Sequence, residues 1–143
     1  MNEYLFSEIQ LGQTESFSKE ITLEMENAFR QISGDINPLH ADDDFAKEIG
    51  EGAKFKKHVT FGMLTASLYS TMAGVYLPGK YSLIHSINNM KFQKPVFAGD
   101  VLTVTGTVEE KQEGLNLIQI KVRITNQDDK CVSSADMKIL VQK

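Results

Sequence analysis

The sequence predicts an α+β domain in which an antiparallel sheet wraps around one long, enclosed helix. Three observations predict it. Residues 61–77, "FGMLTASLYSTMAGVYL", carry no charge and place apolar or small side chains around the whole helical circumference. From residue 82 onward the hydrophobic period changes from helical to two. The sheet's apolar face then needs cover, and the 61–77 helix is the only large candidate.

The elements follow in order. Residues 14–21, "TESFSKEI", alternate and read as a first strand. Thr22 can cap a helix through "LEMENAFRQIS", with Glu24 and Glu26 in the first turn, where carboxylates suit the helix dipole. Met25, Phe29 and Ile32 recur at helical spacing and form its apolar face. Gly34 sits where a C-terminal glycine ends such a helix. A short helix with leading acids, Asp42, Asp43 and Asp44, spans 42–49, and Gly50 and Gly52 break it. After the basic stretch "KFKKH" comes the long helix, with Leu64, Leu68, Thr71 and Val75 along one face.

The strands are read from alternation. In 82–97, Ile84, Ser86, Asn88, Met90 and Phe92 share a face. Residues 100–110 alternate as well. In 115–125, Ile118, Ile120, Val122 and Ile124 alternate with Gln119, Lys121 and Arg123. The last run places Ala135, Met137, Ile139 and Val141 on one side. Turn signals at 95–99, Gly114 and 126–130 separate the runs. No repeat or linker interrupts the 143 residues, so residues 1–143 are read as one domain.

Composition narrows the function. Hydrophobic residues make up 41% and charged residues 24%, the balance of a water-soluble globular domain. A net charge of −4 without a clustered basic stripe argues against a nucleic-acid partner. Residues 61–77 are at the short limit of a membrane span and hold two Thr, two Ser, two Gly and two Tyr, so a membrane role is not expected. The N-terminus lacks the pattern of a signal peptide, and the single cysteine, Cys131, makes no internal disulfide. A reducing, cytoplasmic setting fits.

The stretch with chemical content is "SGDINPLH", residues 33–40. Pro38 cannot continue a helix and pushes Asn37 towards extended geometry. The loop therefore presents an acid, Asp35, and an imidazole, His40, on either side of a fixed turn. Either these are polar trim at a helix exit or they converge on one reacting molecule.

Taken together, "SGDINPLHADDDFA", "FGMLTASLYS", "LPGK" and "KFQKPVFAGD" resemble the MaoC-like, (R)-specific enoyl-CoA hydratases and dehydratases, from about residue 20 to the end. The resemblance implies a hot-dog fold, usually dimeric, with an acyl-thioester site near the subunit interface. It implies reversible syn addition of water to a trans-2-enoyl thioester, giving the (R)-3-hydroxyacyl product. Carried over, Asp35 and His40 match the catalytic pair, Asn37 the loop-holding Asn, Gly62 the glycine whose N–H faces the thioester carbonyl, and Ser70 the active-site Ser. One position departs: Phe61 stands where many members have His.

The chemistry asked of these residues is specific. Water is a poor nucleophile, and a positioned acid and base address that, contributing about 10²–10⁴ in rate. Negative charge on the thioester oxygen needs donors, and the first turn of a helix offers unpartnered N–H groups. No cofactor and no metal are expected; coenzyme A or an acyl carrier protein would carry the substrate. His58 and His85 have no ligand partners at metal spacing and are read as structural or exposed. Lys54, Lys56 and Lys57 are candidates for phosphate pairing, against a plain solvated charge run. Two other readings stand beside hydration: a hot-dog thioesterase, and an acyl-thioester-binding subunit without catalysis, which Phe61 suggests. An open sheet edge predicts a homodimer.

Overall fold

The computed structural model describes residues 1–49 and 55–143. Five antiparallel strands, β1 (Thr14–Glu20), β2 (Ser82–Phe92), β3 (Val101–Gln112), β4 (Leu117–Thr125) and β5 (Cys131–Val141), form one sheet in the order β1-β3-β4-β5-β2. Among the described residues three α-helices accompany it: α1 (Leu23–Ser33), α2 (Asp43–Ile49) and α3 (Gly62–Thr71). The alternation read from sequence sets the faces of the central strands. Ile118, Ile120, Val122 and Ile124 of β4 and Ala135, Met137, Ile139 and Val141 of β5 are buried.

Helix α3 packs into this face, where Leu64, Leu68, Tyr69 and Met72 share a core with Val104, Ile120, Val122 and Met137. Gly106 on β3 makes the approach possible: a Cβ there would lie 2.9 Å from Met72 Sδ. The helix expected over 61–77 is regular only to Thr71. It widens into a π turn over Met72–Tyr76, closed by Leu77 N–H to Met72 C=O at 2.8 Å.

Three expectations need correction. The long helix is not enclosed all round, because one sheet covers one side only; Met63, Ser67 and Ser70 form an exposed stripe. The single face expected for β2 is broken by register shifts between Ile84 and Ser86 and between Asn88 and Lys91, so Ile87 turns inward while Asn88 and Phe92 are exposed. Ile32 is exposed, and the buried residue of α1 is Glu26. Gly50, Gly52 and Lys54, assigned above to a helix break and a basic loop, lie outside the described residues.

Strands β1 and β2 are the two edges of the sheet. Strand β2 pairs only with β5 among the described residues, leaving its other side open. No helix among the described residues is long and apolar enough to cross a membrane.

Candidate active site

The loop that carries Asp35 and His40 is built by three successive local devices. Gly34 ends α1 with φ 72° and returns its N–H to the Arg30 carbonyl at 2.9 Å, a conformation that favours glycine. Asp35 Oδ1 then accepts the Asn37 N–H at 3.0 Å, and Asn37 Oδ1 accepts the Leu39 N–H at 3.0 Å. Pro38 begins a single 3₁₀ turn over Pro38–His40. Asn37 is thus the hinge pin of the loop. One oxygen of Asp35 is used internally, and the other is left for His40.

Asp35 Oδ2 lies 3.9 Å from His40 Nε2. That is too long for a direct hydrogen bond, and it is a separation that a water about 2.8 Å from each atom could span. The His40 side chain is 15% exposed and that of Asp35 45%, so the acid faces solvent more than the base. The other imidazole nitrogen, Nδ1, is 2.7 Å from the Val59 carbonyl. A carbonyl only accepts, so Nδ1 carries the proton, and in the neutral ring Nε2 presents its lone pair towards Asp35.

Phe61, 1% exposed, lies beneath this imidazole, with ring centroids 4.3 Å apart. Phe29 packs against Phe61 at 5.1 Å, and the Arg30 guanidinium lies 5.5 Å from the Phe61 centroid. Arg30 Nη2 also donates to the His40 carbonyl at 3.0 Å. Phe61 therefore serves as a floor under His40.

A cavity of about 260 Å³ is lined by His40, Thr60, Gly62, Thr65, Phe92 and Val96, among others. Gly62 is the first residue of α3, and the Leu64 and Thr65 N–H groups turn back to the Phe61 carbonyl. The Gly62 N–H has no acceptor among the described residues, as expected at a helix start. A Cβ on Gly62 would meet the Phe92 ring at 3.4 Å, on the cavity side. The structure thus brings His40 and Gly62 to one cavity, with Asp35 beside the imidazole and Asn37 bonded within the loop that joins them. Ser70 lies elsewhere: it is on the exposed stripe of α3, two turns beyond Gly62, and does not line this cavity.

Several groups were not legible as site residues. Thr65, 1% exposed, lines the cavity, and its hydroxyl has no hydrogen-bond partner among the described residues. Nothing in the sequence set Thr65 apart from Ser67, Ser70 and Thr71 on the same helix. Lys57 turns to the Ala98 carbonyl at 2.8 Å, which commits it to the fold, while Lys56 is exposed. His85 is exposed. His58 is held between two carboxylates, Glu26 and Asp43. Among the described residues no cluster of His, Cys, Asp and Glu suits a metal ion.

Comparison with known proteins identifies the family. Residues 7–130 match the family model described as MaoC like domain. The (R)-specific enoyl-CoA hydratase of Aeromonas caviae is 35% identical over 119 residues, covering 83% of this chain and 85% of that protein. The 3-hydroxybutyryl-CoA dehydratase of Methylorubrum extorquens is 32% identical over 105 residues, covering 73% of this chain and 64% of its own length. Among solved structures, the (R)-hydratase from A. caviae, described as involved in PHA biosynthesis, superposes with a TM-score of 0.84 at 31% identity, over 93% of this chain and 97% of that one. An R-hydratase from Pseudomonas aeruginosa reaches 0.87 at 29% identity, over 97% and 86%. The fold is the hot-dog fold of these hydratases. On the match across residues 7–130 and these relatives, the chain belongs to the MaoC-like domain family.

Proposed function

We propose that this protein is a hydro-lyase that adds water reversibly to trans-2-enoyl thioesters, giving (R)-3-hydroxyacyl thioesters. The observation that carries the reading is the Asp35–His40 pair, 3.9 Å apart, with the His40 tautomer set by Val59 and its ring at the cavity. The names of the relatives, enoyl-CoA hydratase and 3-hydroxybutyryl-CoA dehydratase, describe the same chemistry.

The steps use groups of this chain. Water sits against Asp35 and the lone pair of His40 Nε2. As its oxygen bonds to carbon 3, the pair takes one water proton and a proton is delivered to carbon 2. The electron pair displaced from the double bond passes through the thioester oxygen, where the Gly62 N–H and the positive end of α3 offset the charge. Dehydration runs the same steps in reverse. Asn37 keeps Asp35 aimed, and Ser70 belongs to the part of the site that a second subunit would complete.

The carrier is coenzyme A or an acyl carrier protein, and the setting is cytoplasmic, in keeping with a single cysteine. The functional unit is a homodimer formed along the open side of β2. This edge would cover α3's exposed stripe and the exposed Leu83 and Phe92. Light scattering at micromolar concentration checks it; a monomer throughout would count against the assembly.

The activity test mixes crotonyl-CoA with the protein and follows loss of the enoyl-thioester absorbance. Free thiol appearing instead would mark the thioesterase reading, and saturable binding without turnover the non-catalytic one.

A further inference from the structure

Glu26 is a carboxylate only 2% exposed, in the first turn of α1. It accepts from the Thr60 hydroxyl and lies 2.8 Å from His58 Nε2. The other ring nitrogen, Nδ1, is 2.7 Å from Asp43 Oδ1 on α2, and that same oxygen accepts the His58 backbone N–H at 2.8 Å. Ionised carboxylates only accept hydrogen bonds, so both ring nitrogens donate and His58 is an imidazolium. One ring therefore ties α1 and α2 to the segment 58–60.

That segment bears directly on the candidate base. Val59 C=O is the acceptor that fixes His40 Nδ1, and Val59 N–H returns to the Leu39 carbonyl at 3.0 Å. Thr60 N–H donates to the Val96 carbonyl at 2.8 Å, and both residues line the cavity. Residues 58–60 are the strut between the catalytic loop and the far wall. A buried ion pair is in itself weak evidence of a stabilising role, because desolvation opposes the Coulombic gain. Its placement on this strut is the informative fact.

We propose that Glu26, His58 and Asp43 form a charged clamp that positions the catalytic imidazole: the doubly bonded His58 holds Val59 in place, and Val59 holds His40 as the Nδ1–H tautomer that can act as base. The three are positioning residues, since none lines the cavity. The proposal rests on the hydratase reading only for its effect on turnover.

The clamp depends on the His58 proton. Burial alone lowers the affinity of this ring for its proton, but the hydrogen bonds to Asp43 and Glu26 and their charges outweigh it, and the net displacement is upward. Among the described residues, the charged groups facing the ring are Glu26 from α1 and Asp43 from α2. Lys47 acts on Asp43 and pairs with Asp44, Lys57 turns to Ala98, and Arg30 is engaged with Asn27 and His40. When pH rises and the proton leaves, one nitrogen lone pair faces a carboxylate, and the strut loses one of its anchors.

The test joins kinetics to nitrogen-15 NMR of the histidine rings in the whole protein. For Glu26→Gln and His58→Gln, kcat for crotonyl-CoA should fall at least about tenfold with KM within about twofold, part of the 10²–10⁴ that a positioned base contributes. The His40 ring should shift from a single Nδ1–H tautomer to a mixture. Folded variants with unchanged kcat and an unchanged His40 spectrum would overturn the proposal. If a variant fails to fold, the wild-type protein titrated from about pH 6 to about pH 9.5 decides. A His40 tautomer change that tracks His58 deprotonation supports the clamp; a His40 signal indifferent to it refutes it. Because the spectrum needs no substrate, it reads the clamp even if the protein hydrates nothing.

Discussion

The His40 imidazole gives its Nδ1 proton to the Val59 carbonyl at 2.7 Å, and this bond decides which nitrogen is free for chemistry. With Nδ1 engaged, Nε2 is the basic atom, and it is the one that lies 3.9 Å from Asp35. The His40 ring is thus oriented from behind, by a backbone group 19 residues further along the chain, rather than by the loop alone.

Gly62 should be replaceable for folding but not for turnover. Its Cβ position meets only the Phe92 ring, at 3.4 Å, and that ring is half exposed and free to yield. Gly62→Ala should therefore change unfolding free energy by no more than about 1 kcal/mol. The added methyl stands between the helix start and an approaching carbonyl, and kcat/KM should fall by about 10²-fold. Paired denaturation and kinetic measurements check this; equal activity in Gly62→Ala would remove the oxyanion assignment.

Phe61 should matter for both stability and chemistry. It is buried beneath His40 and against Phe29, so Phe61→Ala should cost about 3–5 kcal/mol by urea denaturation. Phe61→Leu keeps most of the volume and should cost much less, while still lowering kcat because the flat floor under the imidazole is lost. A Leu variant with full kcat would show that the aromatic contact with His40 is incidental.

Thr65 should be a stability liability in the free protein. Its buried hydroxyl has no partner among the described residues, and Val has nearly the same shape. Thr65→Val should raise stability by on the order of 1 kcal/mol, seen as a higher Tm. A lower Tm would mean that the hydroxyl is satisfied in solution.

The His58 clamp predicts a signed dependence of stability on pH. The His58 pKa is raised above its ordinary 6.5, so its contribution is complete below that value and is lost as pH climbs through the folded-state pKa. The Asp43 pKa is lowered from 3.8, chiefly by the backbone and side-chain hydrogen bonds from His58, so its contribution is present above 3.8 and lost as pH falls through the folded-state value. The stability gap between wild type and His58→Gln should then be widest near about pH 5 and narrow by about pH 9. A gap that widens with alkaline pH would reverse the sign and contradict the charge assignment.

What was legible in the chain was whatever local chemistry encodes. The Ile118–Ile124 alternation needs only a two-residue period, and Gly34, Asn37 and Pro38 shape their turn through bonds two to four residues long. Asp35 and His40 could be paired for that reason. The bulges of β2 arise from its register against β5, which no local pattern within β2 records. His58 meets Asp43 across 15 positions and Glu26 across 32, so a buried carboxylate looked like an ordinary first-turn acid. Ile32 keeps the helical period but is exposed.

The most direct measurement is the rate of crotonyl-CoA hydration by the wild-type protein beside Asp35→Asn and His40→Ala, each first shown to be folded. The account predicts measurable hydration to the (R)-3-hydroxy product in the wild type and a loss of at least about 10²-fold in each variant. Wild-type rates retained in both variants would contradict it.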